Sequence, residues 1–208
     1  MSNVHQINGF RSSDSTSQPL RLDKATNTIQ IIAYAHHEIH AGSSFHCHFG
    51  QVTPTGIGEM TIIAFWTPAG TKWLHILVDA YATGAAKFAI YEDADLDVDE
   101  GTDLTVFNRD RNSIVASTVL TIETVPEAGK ATSYTVAQAA GATLSVATPI
   151  AVEYIGASAG KGAPGESRGA HEWILCANKQ YAFVIANLTA DDTTHQINLS
   201  WYEHTNIA

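Results

Sequence analysis

"THQINLSWY", residues 194–202, decides the fold class. On an extended chain, His195, Ile197, Leu199 and Trp201 point to one side, and Gln196, Asn198 and Ser200 point to the other. That period of two describes a half-buried antiparallel strand. Working outward, "KWLHILVDAYA" at 72–82 places Leu74, Ile76, Val78 and Ala80 on one face. Its other face, Trp73, His75, Leu77, Asp79 and Tyr81, is mixed, as suits a sheet partly covered by another subunit. "KFAIYE" (87–92), "IVASTVLTIET" (114–124), "EWILCAN" (172–178) and "QYAFVIANLT" (180–189) are rich in the same β-branched and aromatic residues.

From Thr28 onward such segments alternate with Gly, Pro, Asn and Asp, which gives about ten strands at the turn spacing of a sandwich or barrel. No sustained amphipathic helix is written in the chain. "VAQAAGATL" (136–144) is the nearest candidate, and Gly141 with its β-branched neighbours limits it to a short helical turn. Residues 1–27 are polar, contain Pro19 and lack periodicity, so they read as an extended N-terminal arm. Residues 28–208 read as a single domain, an all-β antiparallel sandwich.

The 208 residues carry 11 Lys and Arg against 21 Asp and Glu, a net charge of -10. That balance repels phosphate backbones and anionic lipid, so neither nucleic acid nor membrane is an expected direct partner. The N-terminus lacks a secretory pattern, no apolar run is long enough to span a bilayer, and a cytoplasmic place of assembly follows. Cys47 and Cys176, two thiols far apart in sequence, read as reduced there.

"HHEIHAGSSFHCHF" (36–49) holds five of the ten histidines. His46 and His48, two apart on a strand, would offer two imidazoles on one face, as cupin-type metal sites do. The next acid is Glu59, too distant for the cupin's third ligand. Read as a strand, the preceding segment brings His36, Glu38 and His40 to one side, a polar row suited to an exposed or inter-subunit face. No metal and no cofactor is expected.

"YEDADLDVDEGTD" (91–103) has seven acids, but counted from Asp95 the EF-hand glycine comes one place late at Gly101, and Val106 takes the twelfth position. A solvated acidic loop is the reading. "GASAGKGAPGES" (156–167) is one residue short of a phosphate loop between Gly156 and Gly160, has Gly162 in place of the hydroxyl residue, and cannot start a helix through Pro164 and Gly165. No Ser-His-Asp or Cys-His set declares itself by spacing, so no catalytic residue is assigned and the expectation is a protein that is not an enzyme. Trp66, Trp73, Trp173 and Trp201 read as core residues of a β-sandwich.

"HHEIHAGSSF" (36–45), "TKWLHILVDAYATGAAKFAIYE" (71–92), "NRDRNS" (108–113), "EWILCANKQYAFVIANLT" (172–189) and "WYEHT" (201–205), in that order, resemble accessory head proteins of tailed phages, of the capsid decoration or cement type. The resemblance spans about residues 30–205 and implies a jelly-roll-like body. It implies a homotrimer seated on major capsid protein at the surface of the virion head, with the N-terminal arm reaching a neighbour. Arg109 and Arg111, placed on one strand face, are then candidates for pairs with carboxylates of a neighbouring subunit, as His36, Glu38 and His40 are candidates for contact. Pairing of the two arginines with the acidic loop of their own chain stays open. Two other readings also stay open: a virion fibre or tail-associated module that binds host glycan, and a cupin-like metal-binding enzyme built on His46 and His48.

Overall fold

A computed structural model of the chain describes residues 8–9, 18–19, 34–53, 56–67, 69–94, 102–118, 132–134, 149–156 and 172–205. It divides into two compact units, Met1–His37 and Glu38–Ala208. In the first unit β1 (Asn8–Gly9) pairs antiparallel with β2 (Gln18–Pro19). A short helix, α1, covers Tyr34–His40. The second unit holds β3 (Ser44–Thr53), β4 (Met60–Trp66), β5 (Lys72–Ala82), β6 (Ala86–Glu92), β7 (Thr102–Asp103) and β8 (Phe107–Asn108). It continues through β9 (Thr132–Tyr134), β10 (Pro149–Ile155), β11 (Trp173–Leu175), β12 (Gln180–Asn187) and β13 (Thr193–Thr205).

These strands form two antiparallel sheets, of order β10-β6-β12-β4-β9-β7 and β11-β5-β13-β3-β8. The strand that opened the sequence reading lies at the centre of the second sheet. β13 pairs on one side with β3, from Thr193↔Thr53 to Tyr202↔Ser44, and on the other with the whole of β5, from His195↔Ala82 to Thr205↔Lys72. As the alternation requires, His195, Ile197, Leu199 and Trp201 are buried, with Leu74, Ile76 and Ala80 of β5 beside them. From the other sheet Ile63 and Phe65 of β4, Phe88 and Ile90 of β6, and Tyr181, Phe183 and Ile185 of β12 close the same core. Phe65 stacks on Phe183 at 5.6 Å between ring centres, and Phe45 lies 6.0 Å from Trp201. The body is an all-β antiparallel sandwich, as expected.

The two sheets differ on their outer sides. "TIIAFW" and "YAFVIA" are unbroken apolar runs because β4 and β12, central in the six-stranded sheet, are buried on both faces; Ile62, Ala64, Ala182 and Val184 form a second cluster behind the main core. β3, β5 and β13 instead alternate, and the outer face of the five-stranded sheet is mostly half-buried to exposed, with Tyr202 buried.

Three expectations need correction. The segment 34–40 is a helix and not a strand, because residues 41–43 terminate a helix. Gly42 N–H donates to Ile39 O (3.0 Å) and Ser43 N–H to Glu38 O (3.0 Å), with Gly42 at φ +71°. That is a Schellman closure, which needs a glycine at this left-handed position. On the helix His36 and His40 share an exposed face while Glu38 turns away and is buried. The second correction is to "NRDRNS", which leaves the strand after Asn108. The Asn108 side chain accepts from Asp110 N–H (2.9 Å), and the Asp110 side chain from Asn112 N–H (3.0 Å), two successive turns that pull the chain off the sheet. The third concerns tryptophan: Trp201 is in the core, Trp66 and Trp173 are half-buried, and Trp73 is exposed. Residues 114–118 of the expected strand 114–124 are irregular. "VAQAAGATL", residues 95–101 of the acidic loop and residues 157–167 lie outside the described residues.

Candidate interaction face

Register assembles the outer face of the five-stranded sheet. β3 contributes His46 and His48; β13 contributes Asn198, Ser200, Tyr202 and His204; β5 contributes Trp73, His75, Leu77 and Asp79. Phe107 of β8 stands opposite His46, and Ile174 of β11 opposite His75. Among the described strand residues of this face Asp79 is the one Asp, Glu, Lys or Arg, although the chain carries 32 such residues (11 + 21).

One end of the face is a stacked file of rings. His46 and His48 are 5.6 Å apart, His48 and Phe107 6.4 Å, and the Arg111 guanidinium lies 5.4 Å from the centre of Phe107. Cation–π contact therefore covers the end of the file. The sequence reading correctly put both imidazoles on one side. His46 Nδ1 engages the Ser200 hydroxyl at 3.1 Å. Partial burial, then the neighbouring His48 and Arg109, push His46 below the ordinary imidazole value, against smaller opposing effects of Leu199 and Asp79.

The other end is a hydrogen-bonded chain. His204 Nδ1 faces the Thr205 carbonyl at 3.1 Å, an acceptor only, so Nδ1 bears the proton and, in the neutral ring, Nε2 accepts. His75 Nε2, 2.6 Å away, is then the donor, which leaves His75 Nδ1 to accept from the Tyr202 hydroxyl at 3.1 Å. Glu172 approaches His75 Nδ1 at 3.9 Å. One tautomer of each ring satisfies the whole chain. Sequence reading missed this group because His75 and His204 are 129 residues apart. Only the Tyr202↔His75 register joins them. The i, i+2 spacing of Tyr202 and His204 was the visible signal.

Of the residues proposed for contact, Arg109 and Arg111 lie in the turn at the rim of this face, and His36 and His40 are exposed on α1. Glu38 is buried and accepts the Ser43 hydroxyl, so its carboxylate is engaged within its own chain. Among the described residues no three His, Cys, Asp or Glu side chains are grouped to hold a metal ion. Cys47 and Cys176 are free thiols; burial pushes Cys47 up to about 12, whereas Cys176 is exposed. "GASAG" at 156–160 spells G-x-S-x-G, the pattern of a nucleophile elbow. It follows β10, an antiparallel edge strand, whereas the elbow joins a strand to a helix; Ser158 lies outside the described residues.

No protein-family model, curated protein or solved structure matches the chain. No helix among the described residues is long and apolar enough to cross a membrane.

Proposed function

We propose that the protein is a non-enzymatic virion structural protein, a capsid decoration or cement subunit that works as a homotrimer on the major capsid protein of a phage head. The observation that carries this reading is the outer face of the five-stranded sheet, where Trp73, Ile174, Leu77, Phe107 and four imidazoles accompany one formal charge among the described strand residues, with Glu172 and Arg111 at its edges. Between copies that each carry a charge of -10, contact through such a face avoids most of the mutual repulsion. Aromatic enrichment with few charges is the composition of an interface core. Five strands of this length present on the order of 600 Å², close to the roughly 800 Å² per partner of a standard interface. The jelly-roll-like connectivity, the arm and the place on the head surface belong to this same proposal, drawn from the resemblance. A subunit of that kind adds contacts across capsid seams, and its affinity for the shell accumulates through multivalency.

Leu77→Glu tests it by placing a second carboxylate at the centre of the face. With the far-UV spectrum unchanged, it is expected to weaken trimer formation or binding to purified capsid shells by about tenfold or more. Unchanged native mass together with unchanged shell binding would overturn the reading. Trp73 supports a second reading, a fibre or tail-associated module for host glycan, because its ring is 41% exposed opposite His204. Binding on a glycan array that is lost with Trp73→Ala would favour that module.

A further inference from the structure

β10 closes one end of the six-stranded sheet and pairs with β6 along one side. Its Ile155 is buried and Ala151 packs on the core, yet Ile150, Val152 and Tyr154 are 40%, 42% and 75% exposed. Val152 and Tyr154 stand opposite Ala89 and Lys87 on the outer face, and Ile150 sits at a bulge between Pro149 and Ala151. Among the described strands none pairs with the other side of β10, and an edge strand that shows alternate apolar side chains is a template for another strand. The common protections are weak here. Glu153 is the single charge on the strand, and Pro149 with the bulge guards only its first residues.

We propose that β10 pairs antiparallel with β10 of a second copy, about a two-fold axis through Val152, so that two six-stranded sheets continue into one. The sequence of the strand selects this register. Val152 is the middle of the seven-residue strand, so centring there pairs every residue of it; centring on Ala151 leaves Tyr154 and Ile155 without partners in the strand, and centring on Glu153 leaves Pro149 and Ile150 so and sets two carboxylates opposite each other. Centring on Val152 sets Val152 against Val152, Ile150 against Tyr154, and Glu153 against Ala151. Apolar side chains then meet on the outer face, and no like charges stand directly opposite. The occupant is the chain itself because the strand is self-complementary over its whole length in this register. The contact is two-fold, so assemblies built with it contain an even number of chains, a hexamer where the body is already a trimer. It does not depend on the virion reading and is tested on the purified protein alone.

The test compares Val152→Cys with Tyr154→Cys under mild oxidation, both with Cys176→Ser to remove the exposed thiol. Across the axis the two residue-152 Cβ atoms lie about 4.5–5.5 Å apart, near disulfide reach. The two residue-154 positions are offset by roughly 14 Å along the strands. Tyr154 is the more exposed site, so random collision would link it faster. The expected result is disulfide-linked dimer at least about tenfold faster for Val152→Cys; equal rates or the reverse order overturn the proposal. Native mass spectrometry adds a second reading: even-numbered assemblies of the wild type are lost in Val152→Lys. A wild type with only odd-numbered species, or a folded Val152→Lys that keeps the even ones, also overturns it.

Discussion

His195 lies wholly inside the core, between the hydroxyls of Thr61, 3.1 Å from Nδ1, and Thr193, 2.8 Å from Nε2. Gln51 donates to the same Thr61 oxygen at 2.9 Å, so the Thr61 proton points to Nδ1 and the ring donates through Nε2 to Thr193. Each member of this network is satisfied with the ring neutral. Burial lowers the imidazole from 6.5 to about 4. The unfolded chain therefore binds more protons than the folded one between those values, and stability rises with pH across them. The contribution is complete above pH 6.5 and disappears as the pH falls toward 4, by about 3 kcal/mol in total. Thermal unfolding of the wild type and of His195→Gln between pH 7 and pH 4 checks this. The wild type is expected to lose the more stability on acidification, and parallel curves would refute the assignment.

Near its end β13 also carries a buried acid, Glu203, which is 3% exposed. Its carboxylate accepts the hydroxyls of Ser117 and Thr118, the Thr118 N–H at 3.0 and 3.1 Å, and Trp201 Nε1 at 3.3 Å. The clasp ties the irregular segment after β8 to the central strand. Glu203→Ala leaves these donors without their acceptor inside the protein and is expected to cost about 2–4 kcal/mol. Denaturant unfolding reads it as a lower midpoint at unchanged slope; a loss below about 0.5 kcal/mol would show that water replaces the clasp. Close packing also decides a loop. At Gly84, between β5 and β6, a Cβ would meet Thr193 Cγ2 at 2.4 Å, so any larger residue in this turn must displace the buried Thr193 side chain. Strand faces were legible in this sequence because their period survives in "THQINLSWY" and "KWLHILVDAYA". The helix at 34–40 was not: seven residues are too few for a 3.6-residue period to stand out, and its clearest mark was the closing glycine, Gly42.

At the scale of the molecule, charge and sheet asymmetry act together. A net charge of -10 per copy opposes assembly, and dissolved salt screens it over about 10 Å at 0.1 M. Self-association through the near-neutral faces and edges described above is therefore expected to strengthen as ionic strength rises. Sedimentation at low and high salt measures it; weaker assembly in high salt would mean that ion pairs, Arg109 and Arg111 foremost, dominate the contacts. The rim position of these two arginines makes their joint replacement by alanine the variant that separates the cases.

The sequence by itself determined that the protein is a β-sandwich and which side of "THQINLSWY" and of "KWLHILVDAYA" faces the core, because alternation is a local property that burial of one face imposes on a strand. It also put His46 and His48 on a common face. Only the tertiary structure decided that His75, Tyr202 and His204 form one hydrogen-bonded chain, that Glu203 holds Ser117 and Thr118, and that Glu38 is buried while His36 and His40 are not. Those facts depend on register between strands distant in the chain and on a helix closed by Gly42. Neither leaves a periodic trace, since pairing partners are chosen by long-range packing and not by the residues next to them.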